Sequence, residues 1–174
     1  MKENNFRLPN AVKPLNYELF FDIDLTNFSF YGNDKIDLKI ENPTRNIILN
    51  SSDLNVKNAN LIYKNEILTP EIKIDEKYER VYLNFDKKIS KSLALLTIEF
   101  SGKLRDDLIG LYKSKYISKN GSEKYMATTH FEAPYARKAF PCFDEPDKKA
   151  TFELSVKIDK NLQAISNMPI IEEK

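Results

Sequence analysis

Hydrophobic residues recur at every second position over several stretches of this 174-residue chain. In the clearest stretch, residues 150–159, the apolar positions are Ala150, Phe152, Leu154, Val156 and Ile158. Successive side chains of a β-strand point to opposite faces of the sheet, so this period predicts a strand with one buried and one solvated face. The same period is found over residues 17–25, 35–41, 81–85 and 95–100. We therefore predict a β-strand at each of these stretches.

Short polar clusters that favour turns interrupt the alternation. They lie at residues 31–34, 41–44, 58–60, 75–77, 101–103 and 119–122. The pair Asn120-Gly121 is the strongest hairpin signal, because both residue types tolerate a positive φ angle. No stretch shows an apolar stripe of helical period with caps at both ends. Short strands with frequent turns predict an all-β domain, a two-layer antiparallel β-sandwich-type fold.

Composition and charge narrow the class of protein. The chain is 41% hydrophobic and 30% charged with a net charge of +1, which is typical of a soluble globular protein and predicts no nucleic-acid partner. No apolar run approaches the roughly 20 residues that span a bilayer, and residues 1–14 lack the apolar core of a signal peptide, so no membrane partner is predicted. A single cysteine excludes an internal disulfide, and we expect a cytoplasmic location.

Several kinds of site are excluded by what the chain lacks. Its four glycines are well separated, so a glycine-rich phosphate-binding loop cannot be built. Its single histidine, His130, and single cysteine, Cys142, exclude a zinc site made of several His and Cys ligands. We therefore predict that this chain binds no metal by itself.

The stretch HFEAPYARKAFPCFDEP, residues 130–146, gathers most of the remaining chemistry. A nucleophile–base pair of Cys142 and His130 is disfavoured, because two prolines lie in the twelve-residue separation, and a cysteine beside Pro and Phe is more typical of a packed hydrophobic residue. A metal site from His130, Glu132, Asp144 and Glu145 lacks the i, i+4 spacing that places two ligands on one helix face.

The acids at the end of the stretch have a structural interpretation. Asp144 or Glu145 can cap a short helical turn with Pro146 at its first position. Arg137 is then the natural counter-ion for one of the two carboxylates, through a bidentate contact. We interpret Arg137, Asp144, Glu145 and Pro146 as a structural motif.

Glu132 differs from these acids, because no Lys or Arg lies within three residues on either side. A carboxylate in partly apolar surroundings is suited to receive a cationic ligand. A solvated loop carboxylate is the alternative, and the residues alone leave both interpretations open.

Residues 130–146, followed by Lys149-Ala150-Thr151-Phe152, closely resemble a signature of the M1 family of gluzincin zinc aminopeptidases. Further blocks that resemble the family are RLP and PLNY (residues 7–9 and 14–17), IILNSSDL (47–54), GLYKS (110–114) and ISNMP (165–169). Asn50 stands where many members have His. The likeness extends over nearly the whole chain.

The resemblance implies a fold, a site and partners. The fold is a saddle-like, all-β N-terminal domain that lies against a thermolysin-like catalytic domain. The glutamate that matches Glu132 helps to bind the free α-amino group of a peptide substrate. His130 stands where many members have Gln, a residue that lines the pocket for the first substrate side chain. The partners so implied are the catalytic domain and peptides with a free N-terminus.

The chain lacks the family's His-Glu-x-x-His motif. The resemblance implies that the zinc, its ligands and the catalytic residues belong to a domain beyond residue 174. We therefore expect residues 1–174 to be a single β domain, truncated at its C-terminal end, with no catalytic residue and no peptidase activity of its own. The face around residues 131–143 would then be uncovered, and we expect weak self-association through it. The alternative is a free-standing β-sandwich that binds a protein or peptide without catalysis.

The two interpretations predict different coding sequences. If the resemblance holds, the reading frame continues past residue 174 and encodes a His-Glu-x-x-His motif, whose two histidines lie on one helix face and bind zinc. Sequencing the full transcript measures this directly. A stop codon immediately after Lys174 would favour the binding module.

Overall fold

The computed structural model describes residues 6–174; residues 1–5, the start of the predicted domain, lie outside it. Except for one short 3₁₀ helix, all regular secondary structure of the described residues is β-strand. The strands are β1 (Val12–Asp24), β2 (Ser29–Ile40), β3 (Thr44–Asn50), β4 (Asn55–Tyr63), β5 (Glu66–Leu68), β6 (Glu71–Asp75), β7 (Arg80–Ile89), β8 (Ser92–Lys103), β9 (Gly110–Ile117), β10 (Glu123–His130) and β11 (Thr151–Lys157).

The described strands form three sheets. A six-stranded sheet has the order β11-β1-β2-β8-β4-β5, a three-stranded sheet has the order β3-β7-β6, and β9 and β10 form a two-stranded ribbon. The prediction of an all-β fold built largely of antiparallel strands is confirmed. One pair differs from it, since β11 runs parallel to β1 at the edge of the large sheet.

The alternating apolar positions form the core between the two larger sheets. In β2 and β8 the inward residues are fully buried: Ile36, Leu38, Ile40, Leu96, Ile98 and Phe100. The three-stranded sheet contributes Ile47, Leu49, Val81 and Leu83 to the same cluster. Full burial of a side chain of this size stabilises the fold by about 1.5–3 kcal/mol. The two sheets therefore cover one another.

Three predicted turns are wrong, because they lie inside strands. Residues 31–34 belong to β2 and residues 101–103 to β8. A Cβ atom on Gly32 would overlap the ring of Phe100, and one on Gly102 the ring of Phe30, so these glycines make room for aromatic rings. Residues 58–60 lie within β4, where a register shift between Val56 and Asn58 accompanies the turn-like sequence.

Exposed apolar side chains lie both in the predicted stretch and outside it. Within the stretch 131–143, Phe140, Cys142 and Phe143 are buried, whereas Phe131 is 36% accessible. The inner-face residues of β11 are more exposed, with Phe152 57% and Leu154 49% accessible. Residues 158–174 form neither helix nor strand and also expose apolar side chains.

One acidic side chain is buried in the core. Asp34 of β2 is fully buried on the inward face, and within residues 6–174 neither of its carboxylate oxygens has a hydrogen-bond partner. Burial therefore raises the pKa of Asp34 well above its ordinary value. The pKa of the neighbouring Tyr17 hydroxyl is also raised. Its own burial is the main cause, and the nearby Cys142 and Asp34 side chains add to it.

Replacement of Asp34 should stabilise the protein. We expect Asp34→Val to raise the free energy of unfolding by about 1–3 kcal/mol at neutral pH, because a buried polar group without a partner is removed. A raised pKa means that the folded protein keeps the proton at pH values where the unfolded chain has lost it. Stability is therefore full below the unfolded pKa of about 3.9 and falls as the pH rises towards the folded pKa.

Chemical denaturation across this pH range tests the assignment. Asp34→Asn should abolish this component of the pH dependence, because the amide does not titrate. Asp37→Asn, on the exposed face of the same strand, is the matched control and should change little. If Asp34→Asn leaves the pH dependence of unfolding as it was, the buried carboxyl is not its source.

Candidate functional site

The residues for which the sequence predicts chemistry lie at the end of β10 and in the loop behind it, residues 131–149, here called the signature loop. The loop opens with a turn in which the backbone N–H of Tyr135 donates to the carbonyl of Phe131 over 3.1 Å. A short 3₁₀ helix (Ala136–Lys138) follows. The Phe131 ring packs edge-on against buried Phe140, with ring centroids 5.9 Å apart. These contacts anchor the turn and leave its tip on the surface.

Glu132 lies on the exposed tip of this turn, two residues after His130. Within residues 6–174 the Glu132 carboxylate has neither an ion pair nor a hydrogen-bond partner. The Nδ1 atom of exposed His130 lies 3.3 Å from the carbonyl oxygen of Leu108, and its ring is edge-on to Tyr135 at 5.8 Å. The structure thus brings the two predicted substrate-binding residues to one end of the β9–β10 ribbon, with a carboxylate free to accept hydrogen bonds from a ligand.

Arg137 ties the signature loop to the body of the fold. Its Nε donates to Asp144 Oδ2 over 2.9 Å, and its Nη1 donates to Glu79 Oε2 over 3.1 Å. The side chains of Arg137 and Asp144 are only 13% and 14% exposed. Because an unpaired charge is costly to bury, each of the two charges is stabilised by the other. The Arg137 carbonyl accepts from the backbone N–H of Ser52 over 2.9 Å. The loop is therefore fixed through side chain and backbone together.

Glu79 is a member of this cluster that the sequence does not reveal. It lies in the turn between β6 and β7, 58 residues from Arg137. Its Oε1 accepts from Ser52 Oγ over 3.0 Å, and its carbonyl accepts from Ser51 N–H over 2.9 Å. Its φ angle is +51°, a left-handed conformation that costs a non-glycine residue about 1–2 kcal/mol. One glutamate among the charged residues of this turn carries no local signal, so only the fold identifies it.

A second ionic contact holds the next residue. Lys138 Nζ lies 2.6 Å from Asp53 Oδ2, and Arg105 Nη1 lies 3.1 Å from the same oxygen. The hydrogen bond from Lys138 is the main reason that the pKa of Asp53 is lowered. Gly110 passes close by with φ +69°, and a Cβ atom there would lie 2.6 Å from the Cβ of Lys138. A glycine is therefore needed where the ribbon begins.

Cys142 contributes to packing in this structure. It is buried, and it pairs with Asn50 through two backbone hydrogen bonds of 2.7 and 3.0 Å. Burial raises the pKa of the Cys142 thiol well above its usual value, which disfavours the nucleophilic thiolate. The amide oxygen of Asn50 accepts from the backbone N–H of Asp144 over 3.2 Å. A structural contact thus occupies the Asn50 side chain.

A turn is present at Pro146 as predicted, but no carboxylate caps it and it does not form a helix. The structure has a single turn in which Lys148 N–H donates to the Glu145 carbonyl over 3.0 Å. The Glu145 carboxylate instead accepts from the backbone N–H of Leu8 over 2.6 Å and lies 3.8 Å from the Arg7 guanidinium. The N-terminal segment comes from far along the chain and satisfies this acid, which local capping rules cannot foresee.

The described part of the chain offers no cluster of three or more His, Cys, Asp or Glu side chains that could hold a metal ion. Its residues therefore do not fit a zinc site. Nor does any helix among residues 6–174 have the length and hydrophobicity to cross a bilayer.

Comparison with known proteins decides the family. The model of the Peptidase M1 N-terminal domain matches residues 13–174. The chain belongs to this family. The predicted membership of the M1 family is thereby confirmed.

Similar proteins are full-length aminopeptidases. The M1 domain is 39% identical to "Aminopeptidase M1" of Arabidopsis thaliana over 173 residues, covering 97% of this chain and 20% of that protein. It is 35% identical to "Endoplasmic reticulum aminopeptidase 1" of Rattus norvegicus, covering 97% and 19%. It is 36% identical to "Puromycin-sensitive aminopeptidase" of Caenorhabditis elegans, covering 96% and 18%. The chain thus spans about one fifth of the length of these relatives.

Removal of Arg137 should destabilise the M1 domain. Arg137→Ala leaves Asp144 and Glu79 without their cation, and loss of one partner from a largely buried ion pair costs about 3 kcal/mol of unfolding free energy. Urea denaturation of the variant measures the loss. Lys157→Ala breaks the exposed pair with Asp22 and is the control, with an expected cost below about 1 kcal/mol. Equal effects of the two substitutions would contradict the assigned role of Arg137.

Proposed function

We propose that this M1 domain recognises the free α-amino group of peptide substrates in a zinc-dependent aminopeptidase that releases N-terminal amino acids. The observation that carries the proposal is the Glu132 carboxylate, which is exposed on a turn anchored at both ends and has no partner among residues 6–174. Membership of the M1 family supplies the reaction class, and the structure supplies a carboxylate available for a cation.

In this proposal Glu132 binds the substrate ammonium through charge-assisted hydrogen bonds. An ammonium donor and a carboxylate acceptor form bonds about twice as strong as neutral ones. A fixed amine sets the distance from the substrate's N-terminus to its first peptide bond. The contribution of this chain is therefore orientation, which converts loose binding into a reactive geometry. A peptide with a blocked N-terminus lacks the ammonium and gains nothing from this contact.

His130 is proposed to line the pocket for the first substrate side chain. Support comes from its place at the end of β10, two residues before Glu132 and on the exposed surface. The imidazole lies beside the Leu108 carbonyl and the Tyr135 ring, which limit its orientations. A bound N-terminal side chain would meet this imidazole, where many M1 members present an amide.

The zinc chemistry is proposed to belong to another part of a longer polypeptide. The donor sets available in the described residues do not fit the metal, so no catalytic step is assigned to them. Relatives about five times as long as this chain support a separate catalytic domain. We accordingly propose that the chain alone is inactive and that the catalytic domain is its partner. A cytoplasmic location and weak self-association stay predictions.

Glu132→Gln in the full-length enzyme tests the proposed role. We expect KM for an aminoacyl anilide to rise and kcat/KM to fall by about 10- to 100-fold, because the amine loses its charged acceptor and the substrate is misplaced. The melting temperature should not change, since Glu132 makes no contact within residues 6–174 that the amide would break.

Glu123→Gln is the matched control. Glu123 is an exposed glutamate at the other end of β10, paired with Lys115, and its replacement should leave the kinetics unchanged. Wild-type kinetics in Glu132→Gln would reject amine recognition by this residue.

A further inference from the structure

The position of Glu132 cannot be set by polar contacts of its own side chain, which makes no hydrogen bond or ion pair within residues 6–174. It must be set by the backbone on either side of the turn. On one side, β10 is held by β9, where His130 pairs with Gly110. On the other side the chain enters the 3₁₀ helix that carries Arg137. Contacts that hold this helix therefore decide where the Glu132 carboxylate lies.

Three residues form a closed ring of contacts at the helix. Arg137 Nη1 donates to Glu79 Oε2 over 3.1 Å, and Ser52 Oγ donates to Glu79 Oε1 over 3.0 Å. The ring closes because Ser52 N–H donates to the Arg137 carbonyl over 2.9 Å. Each residue comes from a different loop, so the ring joins the signature loop to the β3–β4 connection and to the β6–β7 turn.

Other contacts hold the loop, but in different ways. The Asp144 carboxylate binds Arg137 from within the same loop, so it stabilises the loop internally. Lys138 reaches Asp53 on the more exposed side. The Glu79 carboxylate is the acceptor that connects the Arg137 guanidinium to the three-stranded sheet. Its Oε2 accepts from Arg137, and its Oε1 accepts from Ser52.

The backbone of Glu79 supports a specific role. Its φ angle of +51° is a conformation that glycine adopts readily and glutamate rarely. Residues in such conformations persist where surrounding contacts hold them, and they cluster near functional sites. Glycine would fit the turn with less strain, but it would lack the carboxylate that Arg137 and Ser52 require.

We propose that Glu79 is a positioning residue for substrate-amine recognition, acting on Glu132 through Arg137. The inference rests on the proposed function of Glu132. Loss of the Glu79 carboxylate removes the side-chain contact between the 3₁₀ helix and the β6–β7 turn and leaves the backbone bond from Ser52 to Arg137, so the turn then holds Glu132 less accurately with respect to a bound peptide. Because Glu132 acts by orienting the substrate, a small displacement of its carboxylate should weaken substrate binding and raise KM.

A double-mutant cycle in the full-length enzyme tests this coupling. Glu79→Gln keeps the size of the side chain but turns an NH2 group or a weaker acceptor towards Arg137. We expect it to raise KM about tenfold in the wild-type background, below the roughly 100-fold cost of a 1 Å misplacement. In the Glu132→Gln background, where orientation is already lost, the same change should raise KM less than about twofold.

Two further variants separate positioning from folding. Glu79→Gly relieves the left-handed conformation and removes both side-chain contacts, so it should reproduce the KM effect without a lower melting temperature. Glu66→Gln removes a carboxylate that pairs with Lys87 between β5 and β7, and it should leave KM unchanged. A merely structural role of Glu79 would not make its effect depend on Glu132.

Each outcome of the cycle decides the inference. Non-additive effects of the two substitutions support it. Additive effects, or an unchanged KM in Glu79→Gln while Glu132→Gln raises KM, overturn it and leave the proposed function intact. An unchanged KM in Glu132→Gln overturns the proposed function itself, and the positioning role with it.

Discussion

Mutual coverage of two apolar sheet faces is the constraint on which the rest of this domain depends. The inward side chains of β2 and β8 are fully buried only because the three-stranded sheet lies over them. Burial on this scale dominates the free energy of folding, and it fixes the layers relative to one another. The turns after β3 and β6 are thereby held beside the signature loop. The site is thus a consequence of how the layers meet.

Ion pairs fix the position of the signature loop on the packed core. Arg137 and Asp144 are largely withdrawn from water, so each is stable only beside the other. Exposed pairs such as Lys157 with Asp22 bear far less on stability, because water and salt screen them. Asp34 is the opposite case, a core carboxyl without a partner in the described residues, and it is retained at a cost in stability. The domain therefore uses buried charge mainly to fix its signature loop.

The acidic side chains around the signature loop fall into two groups. Asp53, Glu79, Asp144 and Glu145 all bind cations or backbone N–H groups of the domain itself. Glu132 is held in place by its neighbours but is itself unused within residues 6–174. An exposed carboxylate without a partner among the described residues is suited to an external ammonium group. In the function proposed above, that ammonium is the N-terminus of a peptide, in keeping with membership of the M1 family.

The sequence by itself determined the all-β class, the strands with strict alternation, the hairpin at Asn120-Gly121 and the local isolation of Glu132, because these depend on neighbouring residues. It failed at Gly32 and Gly102, which are strand residues beneath distant aromatic rings. Only the tertiary structure decided that β11 lies parallel to β1 and that Leu8 satisfies Glu145. It alone brought Glu79 to Arg137 across 58 residues. Such contacts arise when the layers pack, and no local pattern encodes them.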